Sequence, residues 1–214
     1  MSKNILKEIE DQKLIGLVKV TQSEDVMEVV DALREGGVQI IQIAETVPSA
    51  YRTIETLAKE SDLTVGIGNV FCGEDAQRAI NAGVDFISSP FTTNEIITVA
   101  KNSGTFVIQG VSTLTEAVEA HNLGADLIKI FPIDTLGGPQ FVQRVRATLP
   151  FIKPVVHGRV GLGNSVEYLK SGAMALCLGS SLVEKSWVRS HDWSAITQRA
   201  KEFATLVDAS KITR

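Results

Sequence analysis

Read from its N-terminus, the chain alternates short, unbroken apolar runs with longer segments whose apolar positions recur at helical spacing. The runs are L-I-G-L-V-K-V (14–20), V-Q-I-I-Q-I-A (38–44), L-T-V-G-I-G (63–68), D-F-I-S (85–88), T-F-V-I-Q-G (105–110), D-L-I-K-I (126–130), P-V-V-H-G (154–158) and A-L-C-L-G (175–179). Four to seven residues with little polar alternation mark parallel strands buried on both faces. Helical stretches such as D-V-M-E-V-V-D-A-L-R-E-G and E-D-A-Q-R-A-I-N-A-G separate them. Several open on a capping residue, as in S-E-D-V at 23–26, and several end in glycine.

An internal repeat supports the alternation. R-E-G-G-V-Q-I-I, I-N-A-G-V-D-F-I, H-N-L-G-A-D-L-I and L-K-S-G-A-M-A-L share one plan: a helix end, a glycine past it, then a buried strand. Their glycines, Gly37, Gly83, Gly124 and Gly172, fall about two βα units apart, as a barrel built of similar pieces requires. The reading is α/β: a (β/α)8 TIM barrel over about residues 14–183, in a single domain spanning 1–214. A doubly wound open sheet is the alternative, but it rarely holds eight such evenly spaced units. Residues 1–13 read as an amphipathic helix without a signal peptide's apolar core. A tail over about 184–214 carries a polar linker, W-V-R-S-H-D-W, in which His191 reads as exposed. Beyond it Ile196, Ala200, Phe203, Ala204 and Val207 follow helical spacing, predicting a helix packed on the barrel wall or on another subunit.

Composition narrows the class. The 214 residues are 44% hydrophobic and 21% charged, enough for a sizeable core. A net charge of −4 and the absence of a basic block argue against nucleic acid or an anionic membrane as partner. No apolar run approaches a transmembrane length. Two cysteines cannot build a disulfide framework and match no metal spacing; Cys177 reads as a small core residue and Cys72 as a residue past a strand end. A reducing, cytoplasmic setting is expected.

The candidate chemistry centres on Lys129, in the apolar run A-D-L-I-K-I-F-P (125–132). Desolvating an ammonium is costly, so a buried lysine tends towards the free amine, which is a nucleophile. The alternative is a lysine at a strand end that snorkels to solvent. In such barrels the chemistry lies at the C-terminal ends of the strands. Those ends read Lys19, Gln42, Asn69, Ser88 or Ser89, Gln109, Lys129, His157 and Ser180, a polar ring around the lysine. The last two strands lead into H-G-R-V-G-L-G-N and L-G-S-S-L, where many barrels hold a phosphate. Gly158, Gly161, Gly163, Gly179 and Ser180 are candidate donors there, and Arg159 adds charge; ordinary tight turns explain the glycines equally.

From about Leu14 to Leu182 the sequence resembles the 2-keto-3-deoxy-6-phosphogluconate (KDPG) aldolases, class I enzymes that include 2-keto-4-hydroxyglutarate and phosphogalactonate aldolases. K-I-F-P (129–132) is similar to the family's Schiff-base K-F-F-P, G-I-G-N-V (66–70) to G-A-G-T-V, F-I-S-S-P-F (86–91) to F-A-I-S-P-G, and Q-G-V-S-T (109–113) to P-G-I-S-T. E-G-G-V-Q-I-I (35–41) matches the approach to the second strand. The resemblance implies a homotrimer that needs no cofactor and cleaves a 2-keto acid, phosphorylated in the family's manner, to pyruvate and an aldehyde through an iminium on Lys129. It implies substrate contacts at Lys19, Gln42, Asn69, Pro90, Gly158, Arg159, Gly179 and Ser180. No cluster of Glu, Asp or His at the strand ends calls for a metal.

The departures fall at the proton-transfer positions. The family's second-strand glutamate is Gln42, which cannot exchange a proton near neutral pH. A family arginine is replaced by Thr46, and the T-G-G of the phosphate loop becomes His157, Gly158 and Arg159. His157 is a candidate base by strand parity and by its titration range. Glu45 is a second, reaching the pocket only if its strand ends by Ala44. Two further readings stay open: a barrel that binds a keto acid or phosphate without efficient turnover, and a phosphate-binding isomerase or synthase that would not need the lysine.

Overall fold

In a computed structural model that describes residues 3–212, eight parallel strands close into one barrel with each strand bonded to its sequence neighbour. The strands are β1 (Leu14–Val18), β2 (Ile40–Ala44), β3 (Thr64–Gly68), β4 (Phe86–Ser88), β5 (Phe106–Val111), β6 (Leu127–Ile130), β7 (Pro154–His157) and β8 (Ala175–Leu178). The pairing of β1 with β8 excludes the open sheet. Every predicted strand is present to within two residues at each end. Two starts move inward because Asp85 and Asp126 belong to the turns. Their carboxylates accept the backbone N–H of Val65 and Val107 on the preceding strands, both at 2.8 Å.

Helices α1 (Ile5–Gln12), α2 (Asp25–Glu35), α3 (Ala50–Leu57), α4 (Gly73–Asn81), α5 (Asn94–Asn102), α6 (Leu114–Asn122), α7 (Gly138–Thr148) and α8 (Ser165–Lys170) lie before and between the strands. Of the N-terminal segment read as helix, Met1 and Ser2 lie outside the described residues, and α1 begins at Ile5. The four repeat glycines adopt φ of +89° (Gly37), +89° (Gly83), +98° (Gly124) and +104° (Gly172). That left-handed backbone is what ends one helix and turns the chain into the next strand.

The tail forms α9 (Lys185–Arg189) and α10 (Trp193–Ile212). Ile196, Ala200, Phe203 and Val207 are buried, so α10 covers the barrel's own wall along α2 and α8. His191 is exposed at φ +52°, with Nδ1 3.7 Å from Asp25. α10 sits close on α2 because Gly36 has no side chain, and the Thr197 hydroxyl donates to the Ala32 carbonyl at 3.1 Å.

Strand register sets what fills the barrel. Side chains on alternate strands share a level once the stagger of roughly two residues per second strand is included. Ile40, Phe86, Leu127 and Ala175 make a lower layer, and Ile15, Gly66, Ile108 and Val155 the next; the Phe86 ring fills the space Gly66 leaves. Above them stand Gln42, Ser88, Lys129 and Cys177, then Leu17, Gly68, Gly110 and His157. The uppermost layer is half glycine. The space beside Gly68 is taken by the Gln42 side chain, and that beside Gly110 by the Pro90 carbonyl.

A Cβ on Gly36 would fall 2.2 Å from Ala200 Cβ and 2.8 Å from the Thr197 carbonyl oxygen. Gly36 has a helical φ of −79°, so Gly36→Ala perturbs packing rather than backbone preference. The substitution is expected to lower the unfolding free energy by about 1–3 kcal/mol. Urea denaturation should show a lower midpoint at unchanged slope. An unchanged midpoint would mean that α10 is not seated on α2.

Candidate active site

Lys129 lies inside the barrel with only 3% of its surface exposed, over a layer of isoleucine and valine. Its Nζ donates to Ser88 Oγ at 2.7 Å, the one hydrogen bond its side chain makes among the described residues. An ammonium offers three donors, and one acceptor satisfies it poorly. Desolvation therefore lowers its pKa from 10.5 to about 8, with partial opposition from the neighbouring Cys177. The snorkelling reading of Lys129 is excluded by this burial.

His157 stands in the layer above. Its Nδ1 lies 2.8 Å from the Cys177 carbonyl oxygen and must donate to it, since a carbonyl only accepts. The other nitrogen, Nε2, is left as the site of proton exchange. The Phe131 ring stacks on the imidazole, with centroids 5.0 Å apart. Burial pulls the His157 pKa down, but the Cys177 side chain and carbonyl outweigh it and hold it above its usual value. Burial pushes the Cys177 thiol up, whereas His157 and Lys129 hold it below its usual value. The two side chains titrate as a pair.

A cavity of about 320 Å³ opens over this end of the barrel. Lys19, Asn69, His157, Gly158, Arg159, Gly179 and Ser180 all line it, so seven of the predicted site residues converge there. Lys129 is not on the cavity wall; it is set deeper, in electrostatic range of Cys177 and His157, which are. The lining carries three cations, Lys19, Arg159 and Lys185, and no acidic residue. Arg159 is 88% exposed and 3.5 Å from Asp134. Gly158, at φ +118°, lies against Asp134 and Ile133, where a Cβ would fall 2.7 Å from the Asp134 carboxylate.

The remaining predicted residues are distributed around this centre. Gln42 is buried in the Lys129 layer and occupies the space a Cβ on Gly68 would need. The Pro90 carbonyl crosses over Gly110 at a separation that leaves no room for a Cβ there. β2 does end at Ala44, yet the Glu45 carboxylate turns to the Tyr51 hydroxyl, which donates to it at 3.5 Å. Gly161 and Gly163 do not line the cavity.

Gln109 requires a correction. β5 runs on to Val111, and Gly110, the register partner of Lys129, faces inward, so Gln109 faces the helices. There its Oε1 accepts the Thr93 N–H at 3.2 Å, and it takes no part in the polar ring. The structure adds Ser181, Lys185 and Phe131 to the cavity, and it places Cys177 there although it reads as a core residue. The parity of β8, with residues 175 and 177 on one face, was the signal for Cys177. A lysine just beyond the L-G-S-S loop was the signal for Lys185.

Fold and site together define a class: a (β/α)8 barrel with a desolvated lysine buried beneath a basic cavity at the C-terminal ends of its strands. Comparison with known proteins specifies it. The family described as "Aldolase: KDPG and KHG aldolase" matches residues 4–199, and the chain belongs to that family. It is accordingly a carbon–carbon lyase of the aldolase type. It is 26% identical over 204 residues to the 2-dehydro-3-deoxy-phosphogluconate aldolase of Treponema pallidum, covering 95% of this chain and 97% of that one. It is 32% identical over 175 residues to a probable 2-dehydro-3-deoxy-6-phosphogalactonate aldolase of Rhizobium meliloti, covering 80% and 82%. The KDPG aldolase of Legionella pneumophila, solved with pyruvate captured as a covalent carbinolamine, superposes with a TM-score of 0.87 at 24% identity, covering 94% of this chain and 98% of that one. That likeness shows the fold.

The depressed Lys129 pKa has a thermodynamic signature. Between about pH 8 and 10.5 the unfolded lysine holds a proton that the folded one has lost. Folding stability therefore rises with pH through that window, by about 1.4 kcal/mol per pH unit. Below about pH 8 both states are protonated, and the full cost of the buried charge is present. The stability of the wild type relative to Lys129→Met should climb from pH 8 to 10, as read by urea denaturation. A difference that is flat over this range would contradict a desolvated amine.

Proposed function

We propose that the chain cleaves a phosphorylated 2-keto-3-deoxy sugar acid, or a related 2-keto-4-hydroxy acid, to pyruvate and an aldehyde. The observation that carries this reading is the buried Lys129 amine beneath a cavity with three cations and no acid. The amine attacks the C2 carbonyl, and loss of water gives an iminium. The iminium draws electrons from the C3–C4 bond as a base removes the C4 hydroxyl proton, which releases the aldehyde and leaves an enamine. Protonation at C3 and hydrolysis return pyruvate and the free lysine.

Lys19, Arg159 and Lys185 supply the charge for the substrate's carboxylate and phosphate, and Gly158, Gly179 and Ser180 line the same cavity. Asn69, Pro90 and Gln42 complete the contacts to the substrate's body. His157 serves as the base: it lines the cavity, and its Nδ1 is already engaged by the Cys177 carbonyl. Glu45 is the second candidate, supported by the end of β2 at Ala44 and weakened by its contact with Tyr51. The barrel and tail act as one domain, assembled as a cytoplasmic homotrimer that uses no cofactor. Gln42 at the family's glutamate position favours a second reading, in which the imine forms but turnover is slow.

Borohydride reduction in the presence of pyruvate, followed by intact mass, tests the first step. The wild type should gain one reduced pyruvate adduct, and Lys129→Ala none; an adduct that persists in Lys129→Ala rejects the Schiff base at this residue. Steady-state cleavage of KDPG tests the second step, with His157→Ala expected to lose about 10²–10⁴-fold in kcat. Unchanged rates in both His157→Ala and Glu45→Ala would reject each as base. Adduct formation without measurable cleavage in the wild type would support the second reading.

A further inference from the structure

Ser88 is buried completely on β4, and its hydroxyl meets the Lys129 Nζ of β6 from across the barrel. The two strands are not neighbours, so the 2.7 Å contact is not a by-product of strand pairing. Ser89, the next residue, turns the other way and caps the local turn, its Oγ accepting the Phe91 N–H at 3.4 Å. Ser88 Oγ has no partner other than Lys129 among the described residues, and the layer beneath both is aliphatic. The hydroxyl thus has nothing else to serve, and it touches the atom that must lose a proton when the amine adds to a carbonyl.

We propose that Ser88 is a catalytic residue, relaying a proton from Nζ to the C2 oxygen as the carbinolamine forms. This rests on the reading of Lys129 as the Schiff-base lysine. In the step, the Nζ lone pair makes the N–C2 bond while the C2–O π pair moves onto oxygen, giving an ammonium and an alkoxide. A proton then passes from Nζ to Oγ as the hydroxyl's own proton passes to the alkoxide. The ring of N, H, Oγ, H, O and C2 closes with six atoms, whereas direct transfer would need a strained four-membered one. The products are a neutral carbinolamine and an unchanged serine, so no external acid or base is consumed. Before the reaction the same hydroxyl accepts an amine N–H, which fixes the nitrogen without occupying its lone pair.

Rapid-quench borohydride trapping with excess pyruvate, read by intact mass between pH 6 and 10, is the test. Ser88→Ala should reach the wild-type final stoichiometry at a rate lower by about 100-fold. Its pH midpoint should also move down, because the ammonium has lost its acceptor. Ser88→Thr, which keeps the hydroxyl, should recover most of the rate. A folded Ser88→Ala that traps pyruvate at the wild-type rate with an unmoved midpoint would overturn the proposal. Should the variants not fold, the wild type alone decides. Two protons moving in one step give a curved dependence of rate on the deuterium fraction of the solvent, and a linear or flat dependence would overturn the relay. A wild type that forms no adduct would overturn the Schiff-base reading and the relay together; an adduct with negative Ser88 results would overturn the relay alone.

Discussion

A closed barrel of eight strands leaves an interior just wide enough for the side chains that fill it, and the charge on Lys129 is confined to that space. Much of the site follows from this confinement. An ammonium over an aliphatic layer with one hydroxyl for company is poorly solvated, so its pKa falls to about 8. Reaching that amine requires that the barrel be empty above it. Of the top layer, Leu17 and His157 line the cavity, whereas Gly68 and Gly110 make room for the Gln42 side chain and the Pro90 carbonyl. Substituents at these glycines would collide with Gln42 or with the Pro90 carbonyl, so both positions require glycine as the structure stands. The depressed pKa of the lysine and the cavity above it both reflect how this end of the barrel is packed.

The same arrangement explains why the lower barrel is so heavily apolar. A buried charge at Lys129 costs stability below about pH 8, and the fold must offset that cost elsewhere. Phe86 packed into the space left by Gly66, and the isoleucine and valine layer above it, supply burial directly beneath the lysine. The tail adds to it from outside, where Phe203 and Ile196 are completely buried along the wall. Strain of this kind is common where function needs a group that the fold alone would not choose.

The sequence made most of the fold legible because buried parallel strands and the glycines that precede them leave strong local marks. Gly37, Gly83, Gly124 and Gly172 announce their turns by residue type alone, since each needs a positive φ. Lys129 stood out for a similar reason, being the wrong kind of residue for its run. What the sequence concealed depends on phase and on distance around the barrel. Gln109 was misplaced because a strand end uncertain by one residue reverses the face on which a side chain lies. Ser88 and Ser89 were indistinguishable until register assigned one to the interior and the other to a turn. The Ser88–Lys129 contact spans 41 residues and two strands, and no local pattern encodes it. Cys177 looked like core because it is apolar in character, yet it contributes a wall of the cavity and the carbonyl that orients His157.

Gln42 is the point at which these constraints meet. It shares a layer with Lys129, so a carboxylate there would place a negative charge in the same poorly solvated space. Such a charge would favour the ammonium and raise the lysine's pKa, while offering a group able to move protons. The amide does the opposite: it leaves the amine freer and exchanges no proton itself. In the proposed reaction, proton transfer then falls to groups other than this amide. The two that lie closest to the chemistry are His157, with one nitrogen committed to the Cys177 carbonyl, and Ser88, bonded to the reacting nitrogen itself. A histidine suits the C4 hydroxyl, where a proton must be taken and later returned, because its charge can change near neutral pH. A serine suits the nitrogen, where a proton need only be passed on, because a hydroxyl can donate and accept at once without changing charge. In the proposed mechanism, an amide at Gln42 in place of a carboxylate leaves proton transfer to two specialised groups, placed in adjacent layers around the same amine.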